Sequence, residues 1–422
     1  MDKNISATRR DFIRTAAAGA AVFAIGQKRA AAASGEVLRV GLVGSGRRGN
    51  GAVRNLFDAS PDVVLVAQCD LFDDMLADSR TKLATLGERY QVTDETAFVG
   101  FDGYQKVLAA DIDVVLLCAP PGYRAQHLRA AVEAGKHVFL EKPAGVDPAQ
   151  VKSVIESGEI AKAKGLSVVS GTQRRHQNAY IETIKQIQDG GLGDIVSASC
   201  YWIGDFGYYP GIPRQDAWSD MEYHNRNWNY FTWLSGDHIV EQHVHNIDIM
   251  NWALGAHPIS AVGLGGRSQR TAPEYGHIYD HFSVEFEYPG GIRVQSLCRQ
   301  NSETYSRVAE HVVGTKGVSD CRSFIRGGSK FRYKADNDVD PYVQEHIDLI
   351  ASIQNGEPIN EARSLAESTM AAVIGRMSAY SGKEVLWDWA MNESTLDLAP
   401  KTYEFGPLPA VEVAVPGVTP LV

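Results

Sequence analysis

Glu141-Lys142-Pro143 ends the apolar run at residues 136–140, KHVFL. An ammonium at a strand end can steady an alcohol oxygen as its carbon gives up a hydride. Desolvated beside other cations, such a lysine loses basicity and can move the proton itself. Residues 239–254, IVEQHVHNIDIMNWAL, read as one helix. Helical spacing predicts Glu241, His245, Asp248 and Trp252 on a single face. A carboxylate one turn from His245 holds its imidazole in one tautomer and raises its basicity, which suits a base for a hydroxyl proton. His243 and His245 stand two apart, pointing about 200° from each other on a helix, so they do not share a metal ion. His243 either narrows a substrate pocket or is a packed, hydrogen-bonded side chain.

These groups need a scaffold that brings them to a cofactor. Residues 37–43, VLRVGLV, form a β-branched run followed by Gly44-Ser45-Gly46-Arg47-Arg48-Gly49 and a helical segment. Strand, glycine turn and helix in that order make a dinucleotide cradle: Gly44 for the turn, Gly46 for approach to a pyrophosphate, Gly49 for packing of helix on strand. A second apolar run ends at Asp70, placed to accept from both ribose hydroxyls and to repel a 2′-phosphate. The cofactor is therefore NAD rather than NADP, although Arg47 or Arg48 would suit a 2′-phosphate. Residues 113–118 form a third strand, broken by Pro120 and Pro121, and 124–135 form a helix carrying His127. The alternation predicts a parallel sheet with ligand at the strand C-termini.

The segments GLVGSGRRG and AVEAGKHVFLEKP, with the histidine pattern at 241–248, resemble the Gfo/Idh/MocA oxidoreductases over about residues 37–390. That resemblance implies an N-terminal Rossmann doubly wound parallel sheet and a C-terminal α/β domain with an open, mostly antiparallel sheet. It implies a sugar or cyclitol substrate, with Lys142 between nicotinamide and substrate and a cis bond before Pro143. The family's Asp-x-x-x-His has Glu241 in place of Asp here, and His243 stands where the family prefers Gly. The longer carboxylate moves the site by about 1 Å. Gln173, Glu141, Arg175 and His176 fall where the family contacts nicotinamide and substrate.

Residues 201–233 concentrate aromatic side chains, among them Tyr201, Trp202, Tyr223, Trp228, Tyr230 and Trp233, with Arg226 nearby. Aromatic faces stack on sugar C–H faces, and Arg binds hydroxyls; the same residue types also favour interfaces. Both readings stay open. The second half continues with strands near 280–300 joined at Gly290 and Gly291, and helices at 342–356 and 361–382. The expected division is a leader at 1–33, a Rossmann domain at 36–160, a substrate and oligomerisation domain at 161–390, and a tail at 391–422.

The leader holds Thr8-Arg9-Arg10-Asp11-Phe12-Ile13, then an apolar run too short to span a bilayer, then alanines. It resembles a twin-arginine export signal and points to the periplasm. The chain has 422 residues and net charge −10; removing the leader, with six basic and two acidic residues, leaves −14. Such a surface argues against nucleic acid and, after leader removal, against anionic membranes. Five scattered cysteines read as small buried hydrophobes rather than a disulfide framework. The leading expectation is an exported NAD(P)-dependent oxidoreductase acting on a sugar, with a tightly held, recycled cofactor and a homodimeric or homotetrameric state. An alternative is an NAD-dependent glycosidase working by oxidation, elimination, addition and reduction, with Tyr201, Tyr223 or Tyr230 as acid. A non-enzymatic sugar-binding scaffold is a third.

Overall fold

The computed structural model describes residues 37–204 and 210–422. The leader and the aromatic residues Phe206, Tyr208 and Tyr209 lie outside the described residues.

The first unit is a six-stranded parallel sheet of β1 (Leu38–Val43), β2 (Val63–Asp70), β3 (Ala97–Val99), β4 (Val114–Leu117), β5 (His137–Leu140) and β6 (Val168–Ser170). Their spatial order is β3-β2-β1-β4-β5-β6. The central strands are near-continuous Val and Leu because helices cover both faces. Strand order reverses between β1 and β4, and this switch point opens a crevice at the strand C-termini. The sixth strand carries this unit past residue 160, to residue 170, since Val138–Leu140 pair with Val168–Ser170.

The second unit is an eight-stranded mixed sheet of β7 (Ile195–Gly204), β8 (Ser260–Gly266), β9 (His281–Tyr288), β10 (Ile292–Gln300), β11 (Arg307–Gly314), β12 (Gly317–Ser319), β13 (Ile325–Gly327) and β14 (Val385–Leu386). The order is β13-β12-β11-β7-β10-β9-β8-β14, antiparallel except for β7 beside β10. Gly290 and Gly291, both at positive φ, make the tight turn from β9 to β10. The helices Val244–Leu254 and Ala362–Ser381 cover one face, the latter almost wholly buried. The other face leaves Val196, Val262, Leu264 and Val308 exposed.

The expected single helix over 239–254 is instead two, His238–Glu241 and Val244–Leu254, with a break at Gln242 and His243. The His243 N–H reaches back five residues to the His238 carbonyl, and the His245 N–H bonds only Gln242. The added residue in that turn rotates Glu241 away from the face that carries His245. Four cysteines are buried and Cys118 is partly so; all five are free. Among the described residues no helix is long and apolar enough to cross a membrane.

Candidate active site

The crevice is built first by the glycine turn. Gly44 sits at φ +92°, and a Cβ there would lie 2.5 Å from the Ala119 nitrogen. A Cβ on Gly49 would meet the Gly44 carbonyl at 2.0 Å, so helix Arg47–Ala59 can lie this close to its strand only with glycine. Beside Gly46 the space is open; the nearest atom to a Cβ would be Met75 Cε at 4.0 Å. The helix start has no side-chain cap and no acid in its first turn, so its partial positive charge faces that space. Asp70 leans over it: Oδ2 accepts from the Ser45 N–H at 2.8 Å and Oδ1 from the Phe72 N–H at 3.1 Å. Burial raises the Asp70 pKa against these bonds. Open space, uncapped N–H groups and a ribose-side carboxylate together fit a dinucleotide.

Arg47 lies exposed at the mouth. Arg48 does not reach toward a phosphate. Its guanidinium bonds Glu141, then Glu345 at 3.2 Å and Asn55 at 3.2 Å, and lies over the Tyr342 ring at 5.3 Å. Burial opposes its charge, but Glu141 and Glu345 raise its pKa. Arg48 thus ties the glycine turn to the end of β5. Glu141 Oε2 accepts from the Lys142 N–H at 3.1 Å. Pro120 and Pro121 end β4, as the crevice requires. His127 is not at the cofactor surface: it is packed between Tyr104 and Tyr123, at 4.4 and 5.6 Å. Burial and Arg124 hold it neutral, at about 3.

The Lys142–Pro143 bond is cis. Lys142 Nζ donates to the Glu241 carbonyl and, at 2.8 Å, to Glu241 Oε1. Their side chains are 12% and 6% exposed, a nearly dry ion pair. Glu241 Oε2 is buried with no partner. Glu241 therefore grips Lys142; it does not orient His245, the helix break having separated the two. The His245 ring stacks on Trp202, centroids 5.8 Å apart. Burial first, then the charges of Lys142 and Arg174, push His245 well below its ordinary pKa. The imidazole is therefore neutral, and burial and the two cations lower its basicity rather than raise it. Arg174 is fixed by Glu310 at 2.6 Å and lies over Trp202 at 5.8 Å.

Several other candidates lie elsewhere or face another way. Arg175 grips Asp248 through Nε and Nη2, at 2.9 and 2.8 Å, and Ser368 donates to the same carboxylate at 2.7 Å. Both side chains are spent on joining β6 to the helices of the second unit. His176 sits between Asp348, at 2.6 Å, and Glu361, at 3.4 Å. Burial opposes its charge, yet the two carboxylates raise it to about 10, making it an internal cation rather than a substrate contact. Gln173 donates to the Tyr342 hydroxyl at 3.0 Å and leaves Oε1 buried without a partner, so it keeps an acceptor for a ligand amide. His243 bonds Ser296 Oγ at 2.8 Å, fully buried behind the helix break, a packed and hydrogen-bonded side chain. Tyr201 falls on the outer sheet face under Arg307. Tyr230 is 1% exposed, with its hydroxyl accepting from Arg270 at 2.6 Å. Arg226 pairs with Asp74 at 3.1 Å and covers Phe72, beside Asp70 and not beside His245. Trp228 is half-buried in the turn Trp228–Tyr230.

Much of the aromatic stretch joins the two units. Tyr123 donates to Asn225 at 2.7 Å and meets Trp233 edge-on at 6.0 Å. Trp202 is among the aromatic residues that the sequence offers as sugar or interface contacts, whereas Arg174 is set aside there in favour of its neighbours Gln173 and Arg175. Strand alternation held the signal for Trp202, which shares the inward parity of Ala198 and Cys200.

Comparison with known proteins agrees with this architecture. A model described as the oxidoreductase family with an NAD-binding Rossmann fold matches residues 38–171, and the GFO/IDH/MocA C-terminal domain matches 180–319. The chain belongs to the Gfo/Idh/MocA oxidoreductases. Inositol 2-dehydrogenase 3 of Saccharopolyspora erythraea is 27% identical over 281 residues, 67% of this chain and 72% of that one. The crystal structure of myo-inositol 2-dehydrogenase from Lactobacillus plantarum superposes with TM-score 0.63 at 20% identity, covering 83% of this chain and 99% of that one. Aldose-aldose oxidoreductase from Caulobacter crescentus gives TM-score 0.64 at 19% identity, with the same coverage.

Proposed function

We propose that this Gfo/Idh/MocA protein is an exported, NAD-dependent oxidoreductase that oxidises a secondary alcohol of a sugar or cyclitol and keeps its dinucleotide bound through turnover. The observation that carries it is the buried Lys142–Glu241 pair beside a neutral His245 at the mouth of a dinucleotide crevice. The nicotinamide, when bound, supplies the acceptor for the hydride. Residues Ser45 to Arg47 and Asp70 would hold the phosphates and the adenosine ribose, and Gln173 the carboxamide. His245 takes the hydroxyl proton. Lys142 faces the oxygen left behind and stabilises its charge. Trp202 offers an aromatic face to the C–H side of the ring, and Glu241 Oε2 offers an acceptor to a neighbouring hydroxyl. The inositol 2-dehydrogenase relatives support a polyol ring as substrate class.

Asp70 supports NAD over NADP, since Arg48 is committed to Glu141 and Glu345. The twin-arginine pattern at residues 8–13 supports export to the periplasm, where soluble nicotinamide is scarce; a retained cofactor then needs one substrate to oxidise it and another to reduce it. The open sheet face supports a homodimer or homotetramer. Proton NMR in D₂O tests the function: purified mature protein, no added nucleotide, and a panel of sugars, cyclitols and glycosides. Paired ketone or lactone and alditol products support the reading. Free sugar released from a glycoside, with deuterium beside the oxidised carbon, replaces it with oxidation-assisted hydrolysis.

A further inference from the structure

We propose that the C-terminal tail is a strap that closes the adenosine end of the crevice and keeps the dinucleotide from leaving. The inference rests on the reading that the crevice holds a dinucleotide.

The ends of β2, β3 and β4 present three rings: Phe72, two residues past Asp70; Phe101, two past the end of β3; and Tyr123, in the turn after β4. The tail covers all three. Phe405 stacks on Phe72 at 5.9 Å and tilts against Phe101 at 5.2 Å. Tyr403 lies against Phe101 at 6.3 Å and Tyr123 at 5.6 Å. From the second unit Arg226 closes on the same place, its guanidinium 4.0 Å from the Phe72 ring centroid and paired with Asp74. Phe72 is also the residue whose N–H fixes Asp70, so the strap bears directly on the ribose-side carboxylate.

The tail is fastened on both units. The Leu398 N–H donates to Asp147 Oδ2 at 2.9 Å on the first. On the second, the Gly406 carbonyl accepts from the Met221 N–H at 3.1 Å, and the Leu408 N–H donates to Asp220 Oδ2 at 3.0 Å. Farther on, the Tyr279 hydroxyl donates to the Ala414 carbonyl at 2.8 Å. A segment tied to both walls and stacked on the strand ends between them must lift before an adenosine seated against Asp70 can leave by that side. Sequence alone gave the tail no such role, because its rings act only on partners more than 250 residues away.

The test is the release rate of bound NADH from the full mature chain. Protein loaded with NADH is mixed with excess NAD, and the loss of bound NADH fluorescence is followed. Removing one stacked ring speeds release about fivefold, so Tyr403→Ala/Phe405→Ala releases at least about tenfold faster than wild type. Arg226→Gln, which leaves the tail intact, speeds release to a smaller degree. Thermal melting of the nucleotide-free forms shows that the variants are folded. Slow release from wild type and equally slow release from both variants overturns the strap while leaving the bound-cofactor reading in place. Release from wild type within seconds overturns both the strap and the retained cofactor. A chain that binds no NADH removes the dinucleotide reading itself.

Discussion

Replacing Lys142 by Met removes the cation from a nearly dry ion pair in the crevice. Lys142 and Glu241 are 12% and 6% exposed and 2.8 Å apart, and the second carboxylate oxygen already lacks a partner. The variant strands a buried carboxylate, which costs about 3–5 kcal/mol. For a chain of this size that lowers Tm by about 4–6 °C. Glu241→Gln keeps an amide oxygen for the ammonium, and the carbonyl of residue 241 still accepts from it, so its cost is about 1–3 kcal/mol. The double variant Lys142→Met/Glu241→Gln has no stranded charge and melts above the single Lys142→Met. Turnover falls about 10²–10³-fold in every chain lacking Lys142, because stability is restored but the alkoxide is not stabilised. Differential scanning calorimetry and product formation by NMR read the two halves separately. A Lys142→Met protein that melts with wild type and turns over within threefold of it refutes the reasoning.

Three other outcomes follow from the geometry. His245 is held well below its ordinary pKa, so kcat/KM stays flat as pH falls from 8 to 6 and declines only well below 6.5; Arg174→Met removes one of the cations responsible and moves that decline to higher pH. His176 is raised to about 10, above its unfolded value, so its stabilisation is complete below pH 6.5 and fades as pH rises through 10. That contribution is on the order of 4 kcal/mol, and Tm between pH 7 and 10 falls more for wild type than for His176→Gln. Asp70→Ser removes the carboxylate proposed to meet the adenosine ribose, and the ratio of NADP to NAD affinity, measured by calorimetric titration, is expected to rise at least about tenfold.

The elements that carry the crevice were legible because each has a local cause. The glycine turn, the β-branched strands and the proline breaks announce a parallel sheet before any long-range contact is considered. Lys142 stood out through the family resemblance at a strand end, and His245 was placed on one continuous helix face that the break at Gln242 and His243 divides. What escaped was set by partners distant in sequence. Arg48 looks like a phosphate ligand until Glu345, on a helix almost 300 residues later, claims it. Arg174 and Arg175 are adjacent and chemically alike; the short turn Gln173–His176 sends one to Glu310 beside Trp202 and the other to Asp248. The helix break at Gln242 has no glycine or proline to mark it. It shows only in the backbone, where the His243 N–H reaches back to the His238 carbonyl, while Asp237, at φ +74°, caps the start of the short helix before it.

In the proposed reaction a bound dinucleotide exchanges hydride with a polyol through Lys142 and His245. Its most direct test is a single-turnover absorbance measurement at 340 nm on dialysed, NAD-loaded protein mixed with the polyol that gives product in the NMR panel. The account predicts a rise that approaches one NADH per site, returns to baseline on adding the carbonyl acceptor, and is absent from Lys142→Met. No rise with any polyol in wild type, or an equal rise in Lys142→Met, contradicts it.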